Sequence, residues 1–366
     1  MKRRGQAPAS AKPPAPRGKH SAIVAALRAR IIGGRYRAGA ALPTVRALAV
    51  ELAASLPTVS RALAELIAQG FITTAGRRGT RVVEHPPHRH LLALVLPEPP
   101  DADGRYANLH WQALAAAARA RNADPAQGIM LFHALNRHAE LPEHQRLLRA
   151  IAAGSVAGLV LCEPFRGGAW IDQGGRTLPR IGSGVPGEPS HGAIHLSQHE
   201  FRARALAACA AQQRTRLAVI SDDSAGALNG VAALRAAAAA HGLTCPEGHI
   251  LAAPLSVSGW ARHAAAALMG GPVGERPDAL LVCDDNLASA VEDGLDAVGV
   301  GEAGLTLVVH ANFPAPPPTR RHAVRLGWDQ REYLALAGDA VSGWLDHCTP
   351  PGECVLPVRS ADEVPP

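Results

Sequence analysis

From Leu91 to Trp328 the chain alternates between short apolar runs and alanine-rich stretches, and that alternation limits the folds open to it. Ten runs read as strands: LLALVLP, IMLFHAL, GLVLCEP, RIGSG, AIHLS, RLAVIS, HILAAPL, DALLVCDD, LTLVVHA and HAVRLGW. Helical segments at 107–121, 142–153, 199–212, 225–241 and 286–298 lie between most of them. Strands joined by helical crossovers form parallel sheets covered on both faces. About five strand–helix units precede residue 200 and about four follow it, which predicts two doubly wound lobes. In such sheets ligands bind beyond the carboxyl ends of the strands, so polar residues there are the candidates.

Charge separates the first residues from the rest. Residues 1–84 hold 15 Lys and Arg against three acids (Glu51, Glu65, Glu84), whereas 85–366 hold 22 against 28. A basic head on an acidic body points to a nucleic-acid-binding module joined to something else. Within the head, Ile23, Leu27 and Ile31 recur at helical spacing, and Gly33-Gly34 provides a stop. Two near-copies follow, LPTVRALA at 42–49 and LPTVSRALA at 56–64. Thr44 and Ser55 are suited to cap two helices, with buried stripes Val45, Leu48, Ala49, Leu52 and Val59, Leu63, Leu66, Ile67. A repeat architecture needs about three copies at a longer period, so the similarity is that of two helix starts in a helix-turn-helix. Setting Val59 and Leu63 inward leaves Pro57, Thr58, Arg61 and Ala64 outward with Ser60 on the flank, a small and cationic face suited to a major groove. FITTAGRRGTRVVEH then reads as strand, turn, strand: a wing carrying Arg77, Arg78 and Arg81. Each arginine alone is accounted for as a solvated charge; as an ordered set they indicate DNA contact.

Residues 20–84 resemble the winged helix of GntR-type bacterial repressors, through GGRYRAGAALPTVRALA, SLPTVSRALAEL and GRRGTRV. The resemblance implies that the DNA-contacting residues are Arg46, Thr58, Ser60, Arg61 and Gly79. Leu56 stands where the family often has arginine or another polar reader.

In the body, strand ends carry Glu163, Asp222, Asp284-Asp285-Asn286 and Asn312. Capping of the following helices explains any one of them; their recurrence at equivalent places favours a shared pocket between the lobes. Roughly 90–360 resembles the sensor domain of LacI-type regulators, most clearly in DALLVCDDNLASAVEDGLDAVGV. On that match the family's effector-binding aspartate falls on Asp285. Two departures stand out: Asn229-Gly230 occupies the place of an effector-binding arginine, and Asn312 that of an aspartate. They point to an effector other than a common sugar, or one lacking the group that arginine recognises. Trp170 and Trp328 sit at strand ends, where packing is the ordinary role of an indole and stacking on a sugar ring the alternative.

Enzyme readings fail on the residues. GVGEAG at 299–304 fits a dinucleotide loop in letters, but it follows a helical segment and precedes a strand, the reverse of what pyrophosphate binding requires. A pyridoxal-phosphate body requires a Schiff-base lysine, and no lysine follows Lys19. The six cysteines show neither metal-ligand nor disulfide spacing, and EHPPHRH at 84–90 reads as an extended, proline-bearing linker rather than a metal site. No apolar run reaches the ~18 residues of a membrane span, and the basic start lacks a secretory core.

The expectation is therefore an α/β chain with an N-terminal winged helix-turn-helix and a two-lobed, doubly wound body like a periplasmic binding protein. The boundaries are 1–18 basic disordered tail, 19–84 winged helix, 85–90 linker and 91–366 body. Lobe 1 takes about 91–198 and 329–347, lobe 2 about 199–328 and 348–366. The expected function is a cytoplasmic, homodimeric, DNA-binding transcription regulator and repressor, without enzymatic activity, cofactor or metal. Its partners would be double-stranded operator DNA and a small, sugar-like effector held through Glu163, Asp222, Asn229, Asp285, Asn312 and Trp328. The alternative is an architectural DNA-binding protein whose body serves only for dimerisation.

Overall fold

The computed structural model describes residues 18–76, 79–99, 108–124, 126–133, 142–162, 171, 177–184, 190–222, 230–257 and 259–365. The expectation of a disordered tail falls on residues that, apart from Gly18, lie outside this set.

Three helices open the structure: α1 (Lys19–Ile32), α2 (Val45–Glu51) and α3 (Leu56–Ala68). Both capping residues act as the sequence indicates. Thr44 Oγ1 accepts the Ala47 amide at 3.2 Å, and Ser55 Oγ accepts the Thr58 amide at 3.4 Å. The axis turns by 110° between α2 and α3. Leu27, Leu48, Val59, Leu66 and Phe71 close the core beneath them. The stripe of α3 differs in one member from its expected set. Ala62 is fully buried, while Ile67 is 39% exposed, because eight residues from Val59 carry it about 80° around a 100°-per-residue helix. The wing is an antiparallel pair, β1 (Ile72–Thr74) and β2 (Thr80–Val82), with Ile72 opposite Val82.

The segment expected to be an extended linker instead forms a helical turn, α4 (Pro87–His90). Proline fits the first turn of a helix, whose amides have no intrahelical partner anyway. Here Pro86, Pro87 and His88 are buried, and the His88 ring stacks on Phe71 at 6.0 Å.

Each of the ten apolar runs contains a strand. The first parallel sheet has the order β4-β3-β5-β6-β7, from β3 (Leu92–Val95), β4 (Ile129–Phe132), β5 (Gly158–Leu161), β6 (Arg180–Gly182) and β7 (Gly192–Leu196). The second repeats it as β9-β8-β10-β11-β12, from β8 (Leu217–Ser221), β9 (Ile250–Ala252), β10 (Ala279–Val282), β11 (Thr306–Phe313) and β12 (Ala323–Asp329). Two short strands not anticipated from the sequence finish the edges. β13 (Glu353–Leu356) lies beside β7, and β14 (Arg359–Ser360) runs antiparallel to β12. Neither ECVL nor RS carries an apolar run long enough to announce a strand.

The chain divides into two compact units. One comprises 1–98, 121–193 and 337–353, the other 99–120, 194–336 and 354–366. In the second, one face of β8, β10 and β11 packs against apolar residues of the helices Trp260–Met269 and Ala288–Ala297. Helix α5 (Leu109–Arg121) belongs to this unit up to Ala120, as does α7 (Gln198–Ala211), while α6 (Pro142–Ala152) belongs to the first. Gly327 is required where β11 and β12 meet, since a Cβ there would lie 1.8 Å from the Ala311 carbonyl oxygen.

In the turn between α2 and α3, Ala53 adopts φ +46°, the left-handed region. That conformation costs an L-residue ~1–2 kcal/mol, more than the ~0.5–1 kcal/mol of extra chain entropy that glycine loses. Ala53→Gly is therefore expected to stabilise the head by up to ~1 kcal/mol, read as a higher unfolding midpoint; an unchanged or lower midpoint would show Ala53 to be unstrained.

Candidate functional site

Two groups of side chains carry the candidate chemistry. The first lies on the head, where the arginines sort by their partners. Arg28 donates to Gln69 Oε1 at 2.6 Å, and Arg30 and Arg35 both reach Glu51, at 3.3 and 2.8 Å. These three hold the head together. Arg46 on α2 and Arg61 on α3 are exposed, and among the described residues neither has a hydrogen bond or ion pair. Unpaired guanidinium groups beside a helix start are the form in which a protein presents charge to phosphate or guanine. Ser60 is exposed next to Arg61, whereas Thr58 is half-buried and its hydroxyl pairs with Ser55 Oγ at 2.7 Å. Arg81 is exposed, but its Nε donates to the Gly39 carbonyl at 3.1 Å, so part of its fork is spent inside the head. Gly79 holds the wing turn at φ +82°, accepting the Ala75 amide at 2.9 Å. Arg77 and Arg78 lie outside the described residues.

The second group follows from strand order. In a β9-β8-β10-β11-β12 sheet the order reverses between β8 and β10, and their carboxyl ends open a crevice there. The residues leaving those ends are Ser221-Asp222 and Cys283-Asp284-Asp285-Asn286. With His310, Asn312 and Trp328 from β11 and β12, and Asn108, His110, Leu196, Gln198 and Arg202, they line a cavity of about 310 Å³. Every one of these residues belongs to the second unit.

Asp285, 3% exposed, is the centre of a polar chain. Its Oδ2 accepts from Asn312 Nδ2 at 2.8 Å, and Asn312 Oδ1 in turn accepts from Gln330 Nε2 at 2.9 Å. His110 Nδ1 lies 3.1 Å from the same Asn312 oxygen. An amide oxygen only accepts, so Nδ1 carries the proton and His110 Nε2 remains an acceptor. Burial pushes the His110 imidazole below its ordinary range, against the raising effects of Asn312 and Asp285, which keeps it neutral. Asn286 Oδ1 accepts the Leu109 amide at 3.0 Å, fastening the start of α5 to the same loop.

His310 packs edge-on to Phe201 at 5.5 Å and against Trp328 at 5.1 Å, with Nδ1 3.8 Å from Asp285 Oδ1. Neither of its ring nitrogens is hydrogen-bonded, nor is Trp328 Nε1. Buried polar atoms without partners at a cavity wall are what a bound polar molecule satisfies. Burial raises the Asp284 carboxyl, and the Asp285 charge adds to the shift. The Cys283 thiol is pushed up to about 12, chiefly by burial.

The structure thus brings Asp222, Asp285, Asn312 and Trp328 to one cavity, while Glu163, Asn229 and Trp170 lie outside the described residues. Trp328 is 1% exposed, in keeping with the packing role open to it. Sequence reasoning missed His310, which sits two residues before Asn312 and so on the same strand face; that spacing was the available signal. Nothing in the sequence marked His110, Arg202 or Gln330, which come from other elements.

Residues 19–82 match the family described as bacterial regulatory proteins, gntR family. No curated protein sequence matches the chain. Among solved structures, a LacI family transcriptional regulator from Arthrobacter sp. FB24, in complex with lactose, aligns at TM-score 0.56 and 17% identity, covering 75% of this chain and 98% of that one. A regulatory protein of LacI family from Chloroflexus aggregans aligns at 0.54 and 14%, covering 74% and 96%. A LacI family transcriptional regulator from Lactobacillus casei, with bound glucose, aligns at 0.51 and 15%, covering 74% and 97%. At such identities the likeness establishes the fold of the body.

The raised Asp284 carboxyl implies a pH dependence. A carboxyl whose folded pKa exceeds its unfolded value destabilises the fold while ionised in both states, and the penalty fades as pH falls through the folded value toward the unfolded one. Asp284→Asn is therefore expected to raise the unfolding temperature at pH 7, with the gap from wild type closing toward pH 4. A gap that stays constant across this range would remove burial of charge as its cause.

Proposed function

We propose that this chain, a gntR-type helix-turn-helix joined to a body with the LacI-regulator fold, is a transcription regulator whose affinity for DNA responds to a small polar molecule. The observation that carries this reading is the coexistence of a gntR-type helix-turn-helix, with Arg46 and Arg61 unpaired on its two helices, and a body cavity lined by unsatisfied polar atoms. Among the described residues of either group none are arranged as nucleophile and base, and the matched head family and the body fold are those of regulators. Among the described residues no single helix is long and apolar enough to cross a membrane. In this reading the protein works in the cytoplasm as a homodimeric repressor.

Two heads in a symmetric pair read two half-sites of a palindromic operator. Arg46 and the wing arginines Arg77, Arg78 and Arg81 supply phosphate contacts, whose strength falls steeply with salt. Arg61 and Ser60 read base edges; Thr58 and Gly79 shape the two ends of the surface. The sugars bound by two LacI family regulators of like fold, lactose and glucose, favour a polyhydroxylated effector here. Hydroxyls suit a cavity with both carboxylate acceptors and amide and indole donors. Asp285, Asn312 and Asp222 are its principal contacts in this proposal, with Trp328 closing the wall, and Glu163 and Asn229 as further contributors. A coupling of ~1–3 kcal/mol between the sites is enough to change operator affinity about 5–150-fold.

The test is an anisotropy titration against a duplex selected from a random pool. Arg61→Ala is expected to lose ~1–3 kcal/mol of discrimination among sequences, and Arg46→Ala to lower the salt slope by about one. Equal affinity and selectivity for Arg61→Ala would sink the assignment of α3. Asp285→Ala is expected to keep DNA binding and lose the response to ligand. Selective DNA binding with no response to any small molecule would favour the architectural alternative.

A further inference from the structure

The arginine that the sequence comparison expected near residues 229–230 is absent, yet the cavity has a guanidinium from elsewhere. Arg202 lies on α7 and lines the cavity. A Cβ built on Gly230 would lie 2.2 Å from Arg202 Nη1 and 3.1 Å from its Cζ. Gly230 itself has φ −88° and ψ 0°, a conformation open to any residue. Its glycine is therefore not demanded by the backbone; it leaves room for the Arg202 side chain.

Arg202 has no partner among the described residues. Its Nε is buried without a hydrogen bond, and no hydrogen bond or ion pair links its guanidinium to Asp222, Asp284 or Asp285. Burial pushes the Cys283 thiol up, with the Arg202 charge acting to lower it and Asp222 and Asp284 to raise it. The cavity thus holds a guanidinium without a partner and two carboxylates without a cation: Asp284 Oδ1 accepts from the Asn286 amide at 2.9 Å and from its Nδ2 at 2.8 Å, and Asp222 Oδ1 from Ser221 Oγ at 3.2 Å. Desolvating a guanidinium without a counter-charge is unfavourable, and its planar fork matches a carboxylate or a phosphate.

We propose that Arg202 is the specificity-determining residue of the cavity and that it selects a polyol bearing one oxyanion, with the carboxylates of Asp222 and Asp284 taking hydroxyl donors. This rests on the effector reading above and names the ligand class. The oxyanion is held at Arg202, and the two carboxylates repel a second negative group. Gly230 acts by keeping the guanidinium in place. Of the two expectations drawn from Asn229-Gly230, an effector other than a common sugar or one lacking a group for arginine, this proposal favours the first, with the arginine arriving on a different helix.

The test uses the full-length protein and calorimetric titration with matched sets built on glucose, galactose and ribose: the free sugar, its aldonate, its terminal phosphate ester and its 2-amino derivative. An aldonate or a phosphate ester is expected to bind ~10–100-fold more tightly than its neutral parent, the contribution of charge-assisted hydrogen bonds; which of the two binds identifies the oxyanion. Arg202→Ala is expected to abolish that margin, and Arg202→Lys to retain part of it. Gly230→Ala is expected to lower oxyanion binding in the same way while leaving the unfolding temperature of the free protein unchanged, which separates displacement of Arg202 from general damage. A neutral or amino sugar binding at least as tightly as the oxyanion forms would overturn the proposal while leaving the effector reading intact. Undiminished oxyanion binding by Arg202→Ala would overturn it as well. No binding by any member of the set would count against both this proposal and the effector reading.

Discussion

A parallel sheet delivers all its carboxyl ends to one edge, and the second sheet of this protein depends on that constraint for the strand-end residues that its cavity gathers. Reversal of strand order between β8 and β10 parts the following loops and leaves room at Asp222 and at Asp284-Asp285. The bond from Asn312 Nδ2 to Asp285 Oδ2 then ties the loop after β10 to the end of β11. Through Asn312 the same chain reaches His110 on α5 and Gln330 after β12. Four elements distant in sequence are thereby held by one buried amide. Loss of either Asp285 or Asn312 would remove a hydrogen-bond partner from the other in a low-dielectric site, so both are structural, and both border the cavity.

The head is built on a different economy of charge. Of its arginines, Arg28, Arg30 and Arg35 are committed to Gln69 and Glu51, and Arg81 in part to Gly39. Arg46 and Arg61 are left without partners on the exposed side. Exposed ion pairs contribute little stability, so the value of this division lies in orientation: the paired cations brace α1 against α2 and α3, and the unpaired ones remain for a polyanion. The same contrast between paired and unpaired groups recurs in the cavity, where Asp285 and Asp284 accept hydrogen bonds from Asn312 and Asn286 while Arg202 has no partner among the described residues. Sites built this way trade stability for a ligand that completes them.

Much of this was legible in the residues. The two capped helices could be read because capping is local: Thr44 and Ser55 each bond an amide three residues on. The ten body strands could be read because a strand buried on both faces must be apolar throughout, and their alternation with helices implied parallel sheets. Asp222, Asp285 and Asn312 could be read because a doubly wound sheet exposes its strand ends. The turn at Pro87–His90 was misread because proline suits an extended chain and a first helical turn equally, and the stacking of His88 on Phe71 decides between them. β13 and β14 escaped notice because edge pairing rests on backbone hydrogen bonds, which carry no side-chain signature.

By itself, then, the sequence determined the kinds of module, their order along the chain and the strand ends at which chemistry would collect, since each depends on periodicity or on contacts within a few residues. Tertiary structure alone decided which arginines are free, that His110 and His310 join Asp285, and that Arg202 occupies the space beside Gly230. Those facts depend on distances between residues far apart in the chain: 202 positions separate His110 from Asn312, which nevertheless lie within hydrogen-bonding reach. No local pattern encodes such a meeting, because it is set by how the strands order and the helices pack.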